Sequence, residues 1–214
     1  MARGRPRKND PDKVLSEALK LFWKRGYAGT SMNDISEVTG MAKPGLYATF
    51  GDKDALFIKS LERYVEQYGD PVRIPFEQGT GPFREDLKSY LNGLADGVTL
   101  YEQPHGCMCI LASFDFGDTS EPVGPRLAAL KSKGVIALQN RLRRAFDEAE
   151  LSPNADCNRL LMFLNAQIVA MASLARTGVG RDQLQVIVDM ALDAMPWAEN
   201  QGKRRADEGA PILV

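Results

Sequence analysis

The soft and nucleophilic side chains of this chain gather in one run, His105-Gly106-Cys107-Met108-Cys109. Imidazole, thiolate and thioether suit Cu(I) or Zn(II), and a thiolate is the reactive form of cysteine. Geometry limits the metal reading, because residues two apart on a helix point about 200° from each other. Cys107 and Cys109 can meet one ion only in a turn or extended segment, which Gly106 permits. No Lys or Arg stands within four positions to lower either thiol pKa. Small buried apolar groups, the usual state of free cysteine, are therefore the competing reading. Cys157, near a helix start, reads as structural. No metal site and no cofactor is assigned.

The same inventory argues against an enzyme. His105 is the single histidine, which excludes most histidine-based catalytic constellations. No phosphate-binding loop, dinucleotide fingerprint or His-Glu-x-x-His is present. A Cys107–His105 pair lacks a third, orienting group. The alternatives carried forward are a thiol- or metal-sensing protein acting through Cys107 and Cys109 and, behind it, a helical enzyme using Cys107.

A second set of residues suits a different chemistry. Residues 1–53 hold ten Lys/Arg against six Asp/Glu, although the whole chain stands at −1. One basic end on an otherwise acidic chain points to a polyanion partner for that end. Arg3, Arg5, Arg7 and Lys8 crowd the first eight residues. Between Ala42 and Thr49 a short helix turns Leu46 and Phe50 inward and leaves Lys43, Pro44, Gly45, Tyr47 and Ala48 outside. Small, planar and basic groups on an apolar-anchored helix are what a major groove admits. Thr30 and Ser31 open the preceding helix, and Lys53 opens the following one, where first-turn N–H groups can hold a phosphate.

The elements that position these groups are all helical. Asp10 caps and Pro11 starts a helix with Val14, Leu15, Ala18, Leu19 and Phe22 on one face, ending near Gly26. Ser31 and Asp34 form a capping box for a second helix, and Gly40 supplies the turn to the third. Asp52 caps a fourth that runs to about Tyr68. Gly69 to Pro82 reads as a Pro/Gly-rich connector. Helical periodicity then covers about 82–102, 105–114, 122–149, 155–177 and 181–195. No strand pattern appears, and no apolar run approaches the roughly 18 residues that span a bilayer. Met1 to Lys8 has no apolar segment of a signal peptide, and three cysteines make no disulfide framework, so a cytoplasmic setting without membrane attachment is expected.

Ala18-Leu19-Lys20-Leu21-Phe22, Arg25-Gly26-Tyr27-Ala28-Gly29-Thr30-Ser31, Asp34-Ile35, Thr39-Gly40-Met41-Ala42-Lys43-Pro44-Gly45-Leu46-Tyr47 and Phe50-Gly51-Asp52-Lys53-Asp54-Ala55-Leu56 follow one another in order. This string resembles the signature of the TetR/AcrR transcriptional regulators. The resemblance implies an all-α homodimer with an N-terminal three-helix helix-turn-helix domain and a C-terminal helical domain for ligand binding and dimerisation. It implies release of a repressor from a palindromic double-stranded DNA operator by a small-molecule inducer. Ala42 departs from the pattern, because the family often caps this helix with Ser or Thr. The expected layout is a basic arm at 1–9, the helix-turn-helix at 10–51, a connecting helix at 52–68, the ligand and dimer domain at 69–196 and a loose tail at 197–214. Arg3, Arg5 and Arg7 would enter a minor groove. Tyr90, Tyr101, Cys107, Met108, Phe114, Met162 and Phe163 form the expected ligand pocket, and the small residues Ala166, Ala170, Ala172, Ala191 and Ala194 suit a two-fold helix interface.

Overall fold

Helix caps set the boundaries of the first half. The computed structural model describes residues 10–99, 105–116 and 121–198, so Arg3, Arg5, Arg7 and Tyr101 lie outside the described residues. In α1 (Pro11–Arg25) the Asp10 carboxylate accepts from the Asp12 N–H at 3.1 Å, and Val14, Ala18, Leu19, Leu21, Phe22 and Trp23 are buried. In α2 (Met32–Thr39) Ser31 and Asp34 cap each other's backbone N–H groups, and Gly40, at φ +66°, turns the chain into α3 (Lys43–Phe50). A side chain other than glycine is strained in that left-handed turn. Asp52 caps α4 (Lys53–Tyr64) through the Ala55 N–H at 2.9 Å.

The expected loop after residue 69 is instead helix. A wide π-turn over Val65–Gly69 joins α4 to α5 (Asp70–Gln78). Pro71 falls in the first turn of α5, where a missing N–H costs little, and Phe76 is buried and stacked on Tyr90 at 4.2 Å. That burial outweighs the proline and glycine content on which the loop reading rested. The rest of the chain is α6 (Phe83–Thr99), α7 (Met108–Asp115), α8 (Val123–Asp147), α9 (Cys157–Arg176) and α10 (Arg181–Asp193). Among the described residues the one β contact is an isolated bridge between Leu151 and Trp197. Trp197 is docked there, its Nε1 donating to the Leu192 carbonyl at 2.9 Å. The ordered chain therefore continues past the expected start of the tail.

Two apolar cores result. One joins α1–α4 to Met108, Cys109 and Ala112 of α7 and to Val123, Leu127 and Leu130 of α8. The other joins α5 and α6 to the later part of α8, α9 and α10. The N-terminal helices thus do not close their own core; α7 and the start of α8 complete it. Arg126 of α8 donates to Glu62 of α4 at 2.7 Å across the same seam.

α9 is apolar along much of its length. By length and composition it is apolar enough to cross a membrane; Asn165 and Gln167 break its apolar run in sequence but not its helix. Only Leu164, Met171, Ala172 and Ala175 are buried along it. Met162 and Leu174 of α9, with Val186 and Met190 of α10, are large apolar side chains left exposed.

Candidate nucleic-acid interface and ligand cavity

α3 is held by two inward side chains. Leu46 is 0 % exposed and Phe50 is buried beside it, while Tyr47 is 50 % exposed. Lys43, Pro44, Ala48 and Thr49 share the exposed surface with Tyr47. Thr49 was not singled out from sequence. Ala42 makes no side-chain cap; Pro44 has no N–H, and the Gly45 N–H turns back onto the Ala42 carbonyl at 2.8 Å. Gly45 is half-buried, and a Cβ there would come within 3.2 Å of Met41 Cγ. Its smallness serves the packing beneath α3 as well as the outer face.

Flanking positions divide. Ser31 is exposed, and its hydroxyl is engaged with Asp34, which Arg25 contacts at 3.1 Å. The Asp34 carboxyl is held below its usual range, first by its hydrogen bonds to Ser31 and then by Arg25. Thr30 is corrected: it is buried, and its hydroxyl donates to the Gly26 carbonyl at 2.8 Å, so its side chain closes the α1–α2 turn. Lys53 does open α4, but its Nζ lies 3.8 Å from the centre of the Tyr27 ring. Tyr27 in turn donates to Asp54. Burial, followed by that carboxylate, pushes the Tyr27 phenol up to about 12.

The second site is a cavity of about 150 Å³ between the two cores. Its wall takes Tyr64, Tyr68, Tyr90, Cys107, Cys109 and Met171 among others, with Arg73, Lys131 and Lys133 as cations. Arg73 is already paired, donating to Asp70 at 2.9 Å and to Glu77. Gly97 also lines the space, and nothing stands within 4 Å of where its Cβ would be.

Of the expected pocket residues, Tyr90 and Cys107 line this cavity. Met108 does not; it is buried in the other core. Phe114 and Met162 are 71 % and 77 % exposed. Each lies two positions from a buried residue of its helix, Ala112 and Leu164, and so faces the opposite way. Phe163 packs at the edge of the second core and does not line the cavity. Tyr64 and Tyr68 were missed because their helical spacing reads equally well as core. A usable signal was present in Gly93, Gly97 and Gly134: helix-interior glycines at no turn, all on the cavity wall.

Cys107 is the N-cap of α7, in extended conformation, so the two thiols do approach each other. The Cys109 S–H donates to Cys107 sulfur, as do the Tyr64 hydroxyl and the Ile110 and Cys109 N–H groups. Led by the Cys109 bond, these donors outweigh burial and draw the Cys107 thiol down to about 6. Cys109 moves up, through its bond to Cys107 and through burial. Burial, then the neighbouring sulfur, raises Tyr64. Hydrogen bonds from a helix N-terminus and from a tyrosine 43 positions earlier thus replace the absent local cation. No group of three or more His, Cys, Asp or Glu among the described residues is arranged to hold a metal.

Comparison with known proteins assigns both halves of the chain to one family. Residues 14–59 match the family model for bacterial regulatory proteins, tetR family, and residues 84–191 match that for the tetracyclin repressor-like C-terminal domain. The HTH-type transcriptional repressor ComR of Escherichia coli is 32 % identical over 199 residues, covering 91 % of this chain and 93 % of that one. The uncharacterized HTH-type transcriptional regulator YezE of Bacillus subtilis is 27 % identical over 90 % of this chain and 99 % of its own. A solved structure of the TetR family transcriptional regulator CifR, a cysteine mutant complexed with 26-base-pair double-strand operator DNA, superposes with a TM-score of 0.81. That pair is 32 % identical, over 90 % of this chain and 100 % of the other.

Proposed function

The chain belongs to the TetR family of bacterial regulatory proteins and is a DNA-binding transcriptional regulator, and from that premise we propose how its own residues do the work. The protein is a cytoplasmic homodimeric repressor that binds a near-palindromic operator and leaves it when the cavity is filled. The observation that carries this reading is α3: a helix anchored by Leu46 and Phe50 with Tyr47 standing half-exposed on its outer face.

Lys43, Pro44, Gly45, Tyr47 and Ala48 face the major groove. The Tyr47 ring meets a thymine methyl or its hydroxyl meets a phosphate. The Lys43 ammonium beside Ala42 and the first turns after Ser31 and Lys53 receive phosphates. Arg3, Arg5 and Arg7 reach the adjacent minor groove. The exposed apolar faces of α9 and α10, with Met162, Leu174, Val186 and Met190, pair with the same faces of a second copy. That pairing sets the two α3 helices about 34–36 Å apart, one turn of DNA.

The inducer occupies the space between Tyr64, Tyr90, Cys107 and Gly97. It must bind the state that misfits DNA more tightly than the fitting one, or it shifts nothing. A second reading is favoured by where Cys107 stands: it is on the cavity wall at the N-cap of α7, with donors that draw its thiol down, and so meets a small electrophile that enters there.

Selection from random-sequence duplex DNA at two salt concentrations tests the main reading. Wild-type protein is expected to recover a palindrome, and Tyr47→Ala to bind it about 10- to 100-fold more weakly, as loss of a base-edge contact of about 1–3 kcal/mol implies. Equal recovery by the variant would remove α3 from the interface. For the thiol reading, the rate of Cys107 alkylation by iodoacetamide is measured against pH. A midpoint below the ordinary thiol range that climbs in Cys109→Ala, which deletes the donor, is expected, whereas a midpoint in the ordinary thiol range near 8.5 would end that reading.

A further inference from the structure

Between the cavity and the DNA-reading helices stands one short turn, Gly106-Cys107, that α1, α6 and α9 all grip. The Gly106 carbonyl accepts from Trp23 Nε1 of α1 at 2.8 Å. Its N–H donates to the Val98 carbonyl of α6 at 2.9 Å. Its φ is +86°, and a Cβ on it would lie 2.9 Å from the Ala172 carbonyl of α9. The turn cannot shift along any of these directions without breaking a hydrogen bond or meeting backbone.

Trp23 is the receiving side of this grip. It is 2 % exposed, it does not line the cavity, and it touches the residues that do. Tyr64 meets its ring edge-on at 4.8 Å, and Tyr68 lies tilted against it at 5.1 Å. One residue further on, the Lys24 carbonyl accepts from Arg176, at the end of α9, at 2.6 Å. Trp23 and Lys24 belong to the last turns of α1, and the Gly26–Thr30 closure that follows leads directly into the cap of α2.

We propose that the Gly106-Cys107 turn is the joint that carries cavity occupancy to the reading head, with Trp23 as the lever on α1 acting beside the covalently continuous α4. Cys107 is in the cavity wall, Gly106 is its neighbour, and the indole N–H is bonded to that neighbour. Whatever displaces Cys107 therefore moves the acceptor of Trp23 and the stack of Tyr64 together. Trp23 is a positioning residue: it touches neither DNA nor ligand. The joint rests on the cavity reading above, and its test separates the two.

The chain has two tryptophans, so Trp197→Phe leaves Trp23 as the sole indole reporter. Trp197 packs at the second core against Phe83 and bridges to Leu151. The protein is labelled with N-ethylmaleimide, the Cys107 adduct is confirmed by peptide mass spectrometry, and Trp23 emission and affinity for the selected operator are followed together. Labelling is expected to shift the emission, to weaken operator binding at least tenfold, and to be slowed by saturating operator, which holds the state that the adduct disfavours. Trp23→Phe, which keeps an aromatic ring and loses the N–H, is expected to be labelled at the wild-type rate and to hold the operator with less than threefold loss. Operator release without any change in Trp23 emission overturns the joint and spares the cavity reading. An emission shift with operator affinity intact overturns the joint too, because the turn then moves without the reading head responding, and it overturns the thiol reading with it. Should Trp23→Phe not fold, the emission experiment alone decides.

Discussion

Helix α3 and the part of α6 around Gly97 are both half-exposed helices, and they are finished in opposite ways. Beneath α3 every inward position is occupied: Leu46 and Phe50 fill the space, and even Gly45 makes room for Met41. Along α6 the inward position at Gly97 is left open, and the space it leaves is the cavity. A surface that must match a groove is laid on a filled support, because close-packed interiors resist deformation. A wall that must register a small molecule is under-filled, because only missing volume can be taken up by a ligand.

That contrast breaks most readily at its packed end. Leu46→Ala is expected to cost about 2–5 kcal/mol of unfolding free energy, the range for emptying a buried leucine site, in urea titrations at fixed protein concentration. A cost under about 1 kcal/mol would mean that the support of α3 yields, and that packing does not hold the reading surface. Glycine-to-alanine changes come next, and here the sign distinguishes the regions. Gly40→Ala, at φ +66°, is expected to destabilise by about 1–2 kcal/mol. Gly97→Ala, in the open wall of α6, is expected to stabilise by about 0.5–1 kcal/mol through helix propensity while slowing alkylation of Cys107. Equal signs would erase the distinction. The smallest change sharpens it: Ala42→Ser supplies the cap that α3 lacks and should raise stability by about 0.5–1 kcal/mol. Thermal unfolding would show this as a rise of roughly 2–4 °C at most.

How much could be read before the coordinates follows the same division. Caps and apolar spacing are local, so Asp10, Ser31 with Asp34, Gly40 and Asp52 located the first helices, and Leu46 and Phe50 located the inner face of α3. The cavity is assembled from residues distant in the chain. Tyr64 reaches Cys107 from another helix, and no spacing rule links the two. Residue type nominates Phe114 and Met162 for the pocket, but it does not report which side of a helix faces inward. Thr30 was read as a phosphate contact because of where it stands, whereas its hydroxyl serves the carbonyl of Gly26. Composition misled over residues 69–82, where Pro71 and Gly69 mark a wide turn and a helix start instead of a loop.

The wide turn at Val65–Gly69 has an evolutionary consequence. A π-turn is what a regular helix becomes when one residue is added to it, and each residue of α-helix turns the chain by about 100°. Removing one residue from this stretch would swing everything ahead of it by roughly that angle about the axis and would leave Pro71 and Pro75 inside one continuous helix. The head and the sensor would then each be intact but no longer aimed at one another. The added residue therefore acts as an aligning shim, and insertions or deletions should be far less tolerated here than in the Gly79–Pro82 connector a few residues on.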